Sequence, residues 1–189
     1  KDKLDQLKIA IERDFGVPVL VIQKDLSTPE SAEELFTEME SKNIEITHLF
    51  NNAGMGTFGL FNDLDWKKEE QLLNLNMVSL THLTKLFLSK MIAKGNGYIL
   101  NVASTAAFQP GPLMSTYFAS KAYVLHFSEA LQNEVKNTGV IVSALCPSAT
   151  ETSFFKSANM TNSTLVKGKK LGQAIWGKKH NLKSLRQKA

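Results

Sequence analysis

The sequence predicts an α/β protein built on a doubly wound parallel sheet. Three observations lead to this fold class. Short apolar runs typical of strands alternate with longer helical patterns, the runs lack the polar alternation of half-exposed strands, and polar residues follow them at their carboxyl ends. The chain has 189 residues, 43% of them hydrophobic, which is enough for one globular domain with a single core.

The first part of the chain predicts a helix, a strand and a second helix. Apolar residues at helical spacing indicate a helix over residues 4–15, which Gly16 closes as a C-cap. The β-branched apolar run 17–22 predicts a buried strand. The segment Ser27-Thr28-Pro29-Glu30 offers an N-cap and a proline near N1 for the next helix, which extends to about Met39.

The same alternation continues along the rest of the chain. We predict strands over residues 46–50, 98–102 and 140–145, separated by helices over residues 65–93 and 112–136. Such an order places helices on both faces of a parallel sheet.

Composition narrows the class of protein. Cys146 is the only cysteine, so an internal disulfide framework is excluded. No apolar run approaches the roughly 20 residues of a membrane-spanning helix. We therefore expect a cytoplasmic protein, and no residue cluster predicts a metal site.

The formal charge of +4 is unevenly distributed. From Thr152 to Ala189 there are nine Lys or Arg residues and no Asp or Glu. We predict a domain over residues 1–165 followed by a basic tail over 166–189. The tail is either a solvated terminus or a segment that binds an anionic partner. It lacks the interleaved aromatic residues of single-strand binding, so no nucleic-acid partner is expected.

Polar residues follow the predicted strands in register. These residues are Asp25, then Asn51-Asn52-Ala53-Gly54, then Ser104, then Pro147 to Thr152. Any one of them is explained by a turn or a cap, but four positions at one edge of a sheet indicate a ligand site. On the helix that follows Ser104, Tyr117 and Lys121 are four residues apart and share a face.

With these motifs the chain resembles the short-chain dehydrogenase/reductase family. The resemblance extends from about Leu4 to Thr152 and rests on Asn51-Asn52-Ala53-Gly54, on Asn76, on Ser104 and on Tyr117-Phe118-Ala119-Ser120-Lys121. Tyr117 follows Ser104 at the spacing that this family keeps. The resemblance implies a Rossmann fold and an NAD(P)-dependent oxidoreductase.

The resemblance also implies a role for each motif residue. Tyr117 would be the acid and base, Lys121 would bind the nicotinamide ribose, Ser104 would hold the substrate oxygen, and Asn76 would hold a water that relays protons. Asp25 would bind the adenine amine, Asn51, Ala53 and Gly54 would shape the strand end against the cofactor, and Thr152, in the motif that begins at Pro147, would bind the nicotinamide amide. Without the other motifs, Asn76 would be interpreted as an exposed polar residue of a helix.

The pairing of Tyr117 with Lys121 has a physical rationale of its own. A free phenol has a pKa of about 10, which is too high for proton exchange in both directions at neutral pH. An ammonium roughly 5 Å away would favour the phenolate by about 3 kcal/mol at an effective dielectric near 20. We expect Lys121 to lower the pKa of Tyr117.

Apolar residues in the predicted connections suggest the substrate class. They are Met55, Phe58, Leu60 and Phe61 after the second strand, Phe108, Leu113 and Met114 before Tyr117, and Phe154, Phe155 and Met160 after Thr152. They would either line a pocket for a hydrophobic ketone or acyl-type substrate, or pack on one another as a flap without selectivity.

The chain departs from the family pattern in two places. The family's first strands and glycine-rich turn are absent, so we expect an N-terminally incomplete chain with a gap between the strands predicted at 17–22 and 46–50. In addition, Ser148 follows Pro147 where the family usually has glycine, which leaves the backbone there in question.

The leading hypothesis is an NAD(P)-dependent oxidoreductase acting on a carbonyl or secondary alcohol. We take NADP as the cofactor, with NAD as the alternative, and the resemblance implies a homodimer or homotetramer. The alternative function is a non-catalytic dinucleotide-sensing or scaffold protein on the same fold, and a third is a nucleic-acid-associated protein that uses the tail.

Overall fold

A three-stranded parallel sheet organises residues 2–148, the part of the chain that the computed structural model describes. Strands β1 (His48–Asn51), β2 (Gly97–Val102) and β3 (Val140–Leu145) lie in the order β1-β2-β3. All pairings are parallel, with Asn51 opposite Asn101. The predicted α/β class is confirmed, and the strands at 46–50, 98–102 and 140–145 form within two residues of their expected bounds.

Helices pack on one face of this sheet. They are α2 (Ser31–Ser41), α4 (Leu80–Lys94) and α5 (Ser115–Glu134), and α3 (Trp66–Leu73) precedes α4. Ile99 of β2 is buried in a core to which α2, α4 and β3 contribute. The opposite face carries Leu100 and is half-buried within residues 2–148, and Phe50 on that face is 63% exposed.

The first helix forms as predicted, but it does not pack as its pattern suggests. Helix α1 (Asp2–Phe15) ends at Gly16, whose φ of 66° suits the C-cap and whose amide donates to the Glu12 carbonyl. None of its residues is buried, and Phe15 is 74% exposed. The spacing of the apolar residues therefore predicted the helix correctly, but these residues are not buried within the described part of the chain.

The predicted strand at residues 17–22 is wrong. These residues form no regular element, and Val17 and Leu20 are exposed. A strand exists only through backbone hydrogen bonds to a neighbour, and the described strands offer these residues no pairing.

Helix α2 begins directly after the segment Ser27-Thr28-Pro29-Glu30, but the predicted side-chain cap is wrong, since Glu30 at the N-cap makes no capping hydrogen bond. The Asp25 carboxylate accepts hydrogen bonds from the Ser27 amide at 2.9 Å and from its hydroxyl at 2.7 Å. Ser27 is therefore held in a side-chain-stabilised turn, and the helix begins at Ser31.

The long helix predicted over 65–93 contains an interruption that the sequence did not indicate. Asp65 caps α3 by accepting from the Lys67 amide at 3.0 Å, and Gly95, with a φ of 68°, ends α4. Between α3 and α4, residues Asn74–Ser79 form a π-helical turn. Such turns occur often at functional sites, and this one contains Asn76.

Candidate active site

Tyr117 and Lys121 lie on one face of α5 close to the carboxyl end of β2, as their spacing predicts. The Lys121 ammonium donates to the Val102 carbonyl at 2.8 Å and is 5.9 Å from the centre of the Tyr117 ring. Lys121 is only 6% exposed. The last carbonyl of a central strand thus orients the ammonium beside the phenol, and sequence reasoning did not find this contact.

Ser104 completes a group of three side chains at this edge. Its hydroxyl accepts from the Ala106 amide at 3.1 Å, where it caps a short 3₁₀ helix over Thr105–Phe108, and its side chain lies close enough to Tyr117 to lower the pKa of the phenol. Ser104 lies two residues after the end of β2, so the strand and the cap together fix its position. The structure therefore brings Ser104, Tyr117 and Lys121 together.

The electrostatics of the pair differ from our expectation. Burial raises the pKa of Tyr117 above its ordinary value, and the hydrogen bond with Ser104 opposes this effect. Burial also lowers the pKa of Lys121 from 10.5 to about 8, and the charge that Cys146 carries when ionised would oppose this shift. The expected lowering of the Tyr117 pKa by Lys121 is therefore wrong, because the burial of the phenol dominates its pKa.

Asn76 is buried at the same edge and is not an exposed polar residue. It is 1% exposed, and its amide pairs with the backbone of Met55, accepting from the Met55 nitrogen and donating to the Met55 oxygen, both at 2.9 Å. A Cβ atom on Gly54 would lie 3.3 Å from Asn76 Oδ1 and 3.4 Å from Lys121 Nζ. Glycine at this position therefore lets the loop after β1 approach both side chains.

Asn51 points away from this group. Its Nδ2 donates to Thr84 at 3.0 Å and to Asn101 Oδ1 at 2.9 Å, and Asn101 in turn donates to Ser128 at 2.9 Å. These buried bonds join β1 and β2 to α4 and α5, so the side chain of Asn51 has a structural role beneath the sheet. Its predicted influence on the cofactor can act only through the position of the strand end.

The remaining predicted residues are placed as follows. Asp25 is exposed and uses its carboxylate in the turn with Ser27, which lowers its pKa. Ala53 is exposed beside Gly54, and the Pro147 carbonyl accepts from the Thr105 amide at 3.0 Å, next to Ser104. Thr152 lies outside the described residues.

The substitution of serine for glycine after Pro147 causes no backbone conflict. Among the described residues other than glycine, positive φ occurs at Asn43 and Leu113. Ser148 therefore has an ordinary backbone, and the doubt raised by its sequence does not apply to this turn.

Apolar loops border the group of three. Met114 is buried and packs with Phe58, Tyr117 and Phe118. The Gly59 amide donates to the Leu113 carbonyl at 2.9 Å, which ties the loop after β1 to the loop before α5. Leu60, Phe61 and Phe108 are exposed nearby in sequence. Phe154, Phe155 and Met160, which were predicted to contribute, lie outside the described residues.

The Lys121 ammonium fits a ligand hydroxyl. It carries three N–H donors, and within residues 2–148 it makes one hydrogen bond, to Val102. Its free donors lie beside the phenol of Tyr117 at the edge where parallel α/β sheets bind their ligands. This donor set is suited to the ribose hydroxyl that the resemblance assigns to it.

A parallel sheet with these side chains at its carboxyl edge defines a dinucleotide-binding type of α/β protein. Residues 1–163 match the family model described as short chain dehydrogenase. The chain belongs to the short-chain dehydrogenase/reductase family.

Individual relatives agree with this membership. The chain is 35% identical over 154 residues to the very-long-chain 3-oxoacyl-CoA reductase of Anas platyrhynchos, covering 78% of this chain and 48% of that protein. It is 36% identical over 160 residues to the 17-beta-hydroxysteroid dehydrogenase type 3 of Mus musculus, covering 84% and 52%. The chain therefore spans about half the length of the curated relatives it matches.

Solved structures share the fold. A short-chain dehydrogenase from Sphingobium yanoikuyae in complex with NADPH superposes with a TM-score of 0.80 at 33% identity, covering 85% of this chain and 62% of that one. The bulky-bulky ketone specific alcohol dehydrogenase from Comamonas testosteroni gives a TM-score of 0.75 at 32% identity, covering 80% and 60%. No helix within residues 2–148 is long and apolar enough to cross a membrane.

Proposed function

We propose that the full-length protein is an NADP-dependent oxidoreductase that interconverts a hydrophobic ketone and its secondary alcohol. The observation that carries this proposal is the buried ammonium of Lys121, which lies 5.9 Å from the centre of the Tyr117 ring at the carboxyl end of β2. The structure of the Sphingobium yanoikuyae relative with NADPH supports the choice of NADP, and NAD remains the alternative.

The residues divide the chemistry as follows. The cofactor, when bound, supplies the hydride. Burial raises the pKa of Tyr117, so its phenol is protonated at neutral pH and donates the proton to a carbonyl oxygen. Ser104 orients that oxygen through its hydroxyl, and Lys121 places a positive charge beside the phenolate that is left. A protonated phenol favours the reductive direction.

The apolar loops support a hydrophobic substrate. Phe58 and Met114 pack around Tyr117, and the names of the relatives refer to a very-long-chain 3-oxoacyl group, a hydroxysteroid and a bulky ketone. We expect long-chain 3-oxoacyl and bulky ketone compounds to be reduced faster than small sugar carbonyls in a panel followed by NADPH absorbance. If the sugar carbonyls were turned over as fast as the bulky ketones, the apolar loops would pack on one another as a flap without substrate selectivity.

The test of the catalytic assignment is Tyr117→Phe in the full-length protein. We expect kcat to fall by about 10²-fold or more while the NADPH dissociation constant, measured by fluorescence titration, stays within about twofold. Tyr123→Phe is the matched control, because Tyr123 lies on the same helix as Tyr117 and its hydroxyl is hydrogen-bonded to Thr81 of α4 at 2.8 Å. If Tyr117→Phe loses no more activity than this control, Tyr117 is not the acid.

Assembly and location are proposed on the resemblance and the composition alone. We propose a homodimer or homotetramer, which light scattering of the full-length protein would test. A cytoplasmic location, which fractionation would test, is also a proposal.

A further inference from the structure

Ser120 lies between Tyr117 and Lys121 in sequence and has no role in the mechanism above. It is fully buried, with 0% exposure. Its hydroxyl donates to the Tyr117 carbonyl at 2.7 Å and accepts from Asn76 Nδ2 at 3.0 Å. Ser120 therefore links the turn of α5 that carries the phenol to the π-helical turn.

The bond from Asn76 to Ser120 also orients the Asn76 amide. Both N–H groups of Nδ2 are used, one on Met55 and one on Ser120, and Oδ1 accepts from the Met55 nitrogen. Turning the amide over would set two donors against each other at the Met55 nitrogen and two acceptors at its oxygen, and it would also leave Ser120 without its donor. The hydrogen bond to Ser120 is thus the third one that holds the Asn76 amide in the orientation in which it binds the Met55 backbone.

This linkage reaches the site through Gly54, the residue before Met55. A Cβ on Gly54 would be within 3.4 Å of both Asn76 Oδ1 and Lys121 Nζ, so the loop after β1 lies against both groups. A movement of Asn76 would shift this loop relative to α5. We propose that Ser120 is a positioning residue that sets the loop after β1 against Tyr117 and Lys121.

The same helix contains a matched serine. Ser128 is 2% exposed, donates to the Val124 carbonyl at 2.7 Å and accepts from Asn101 Nδ2 at 2.9 Å. Like Ser120, Ser128 therefore donates to a carbonyl of its own helix and accepts from a buried asparagine. Ser128→Ala therefore removes an equivalent pair of hydrogen bonds without touching the loop that holds Met55.

The first test does not depend on catalysis. Hydrogen exchange at the Met55 amide is measured by NMR in the full-length protein without added dinucleotide, in Ser120→Ala and Ser128→Ala. We expect exchange at Met55 to be at least about tenfold faster in Ser120→Ala than in Ser128→Ala, with similar urea midpoints, because only the former frees Asn76. Ser120→Thr should restore protection. Equal exchange at Met55 in the two alanine variants overturns the proposal.

The second test rests on the proposed function. We expect kcat of Ser120→Ala to fall about tenfold with the KM for NADPH within about twofold, Ser120→Thr to recover most of kcat, and Ser128→Ala to stay within about twofold of the natural protein. If Ser120→Ala does not fold, Ser120→Cys fills the site with a slightly larger side chain that is a weaker acceptor, and the same comparisons apply. Equal kcat losses in Ser120→Ala and Ser128→Ala would reduce Ser120 to a structural role. If the natural protein turns over no carbonyl, the proposed function fails while the exchange result still decides the role of Ser120.

Discussion

Lys121→Met should stabilise the protein at neutral pH, although it removes a residue assigned to the site. The pKa of Lys121 falls from 10.5 to about 8 because its ammonium is buried. At about 1.4 kcal/mol per pH unit, the buried charge costs about 3 kcal/mol of unfolding free energy. Methionine fills the same space without a charge but leaves the Val102 carbonyl unpaired, a loss of about 1 kcal/mol. The net gain expected at pH 7 is about 2 kcal/mol.

The stability gained by Lys121→Met should depend on pH, because the cost of burying Lys121 exists only while the lysine is charged. Below about pH 8 the lysine is charged in both states, and the full cost of burial is present. Between about pH 8 and pH 10.5 the native state releases its proton before the unfolded state does, so the stability of the natural protein rises with pH. The advantage of Lys121→Met should therefore shrink and vanish near pH 10.

Urea unfolding of the full-length protein without dinucleotide, at pH 7 and at about pH 10, measures both effects. Lys85→Met is the control, because Lys85 is exposed on α4 and its replacement should change stability by no more than about 0.5 kcal/mol. The reasoning would be refuted by a Lys121→Met variant that is no more stable at pH 7, or by a gain that persists unchanged at high pH.

Three further predictions follow from single contacts. Gly54→Ala would place a methyl group 3.3 Å from Asn76 Oδ1 and 3.4 Å from Lys121 Nζ, so turnover should fall about tenfold in steady-state assays, and unchanged turnover would contradict the close approach. Asn101→Ala breaks two buried hydrogen bonds and should cost about 2–4 kcal/mol in urea unfolding; a loss below about 1 kcal/mol would show that the bonds contribute little. Gly139→Ala would put a Cβ 1.9 Å from a backbone oxygen at a φ of 80°, so its Tm should drop by more than about 10 °C, and a smaller shift would mean that the turn relaxes.

The order of elements was predictable because it depends on local pattern. Residues 140–145 form β3 with the predicted bounds, and Asp65 caps α3 where the sequence places a helix start. Each of these features depends on side chains within a few positions of one another. Caps, apolar runs and glycine C-caps therefore identified most helices and strands.

The errors arose where a distant or unexpected partner decides the structure. The apolar run 17–22 forms no strand, since pairing needs a neighbour that the pattern of the run cannot supply. In the segment predicted to cap α2, the Ser27 hydroxyl donates to the carboxylate of Asp25 instead. The bonds of the Asn51 side chain to Thr84 and Asn101 were likewise not predictable from the sequence, while its role in shaping the strand end stays a prediction.

By itself the sequence determined which residues meet at the edge of the sheet, because parallel strands bring their carboxyl ends to one side and a four-residue spacing puts Tyr117 and Lys121 on one helix face. Only the tertiary structure decided how those groups titrate and what holds them. The pKa of Tyr117 rises, and Asn76 is fixed by Met55 and Ser120, because burial and hydrogen bonding depend on atoms from segments far apart in the chain.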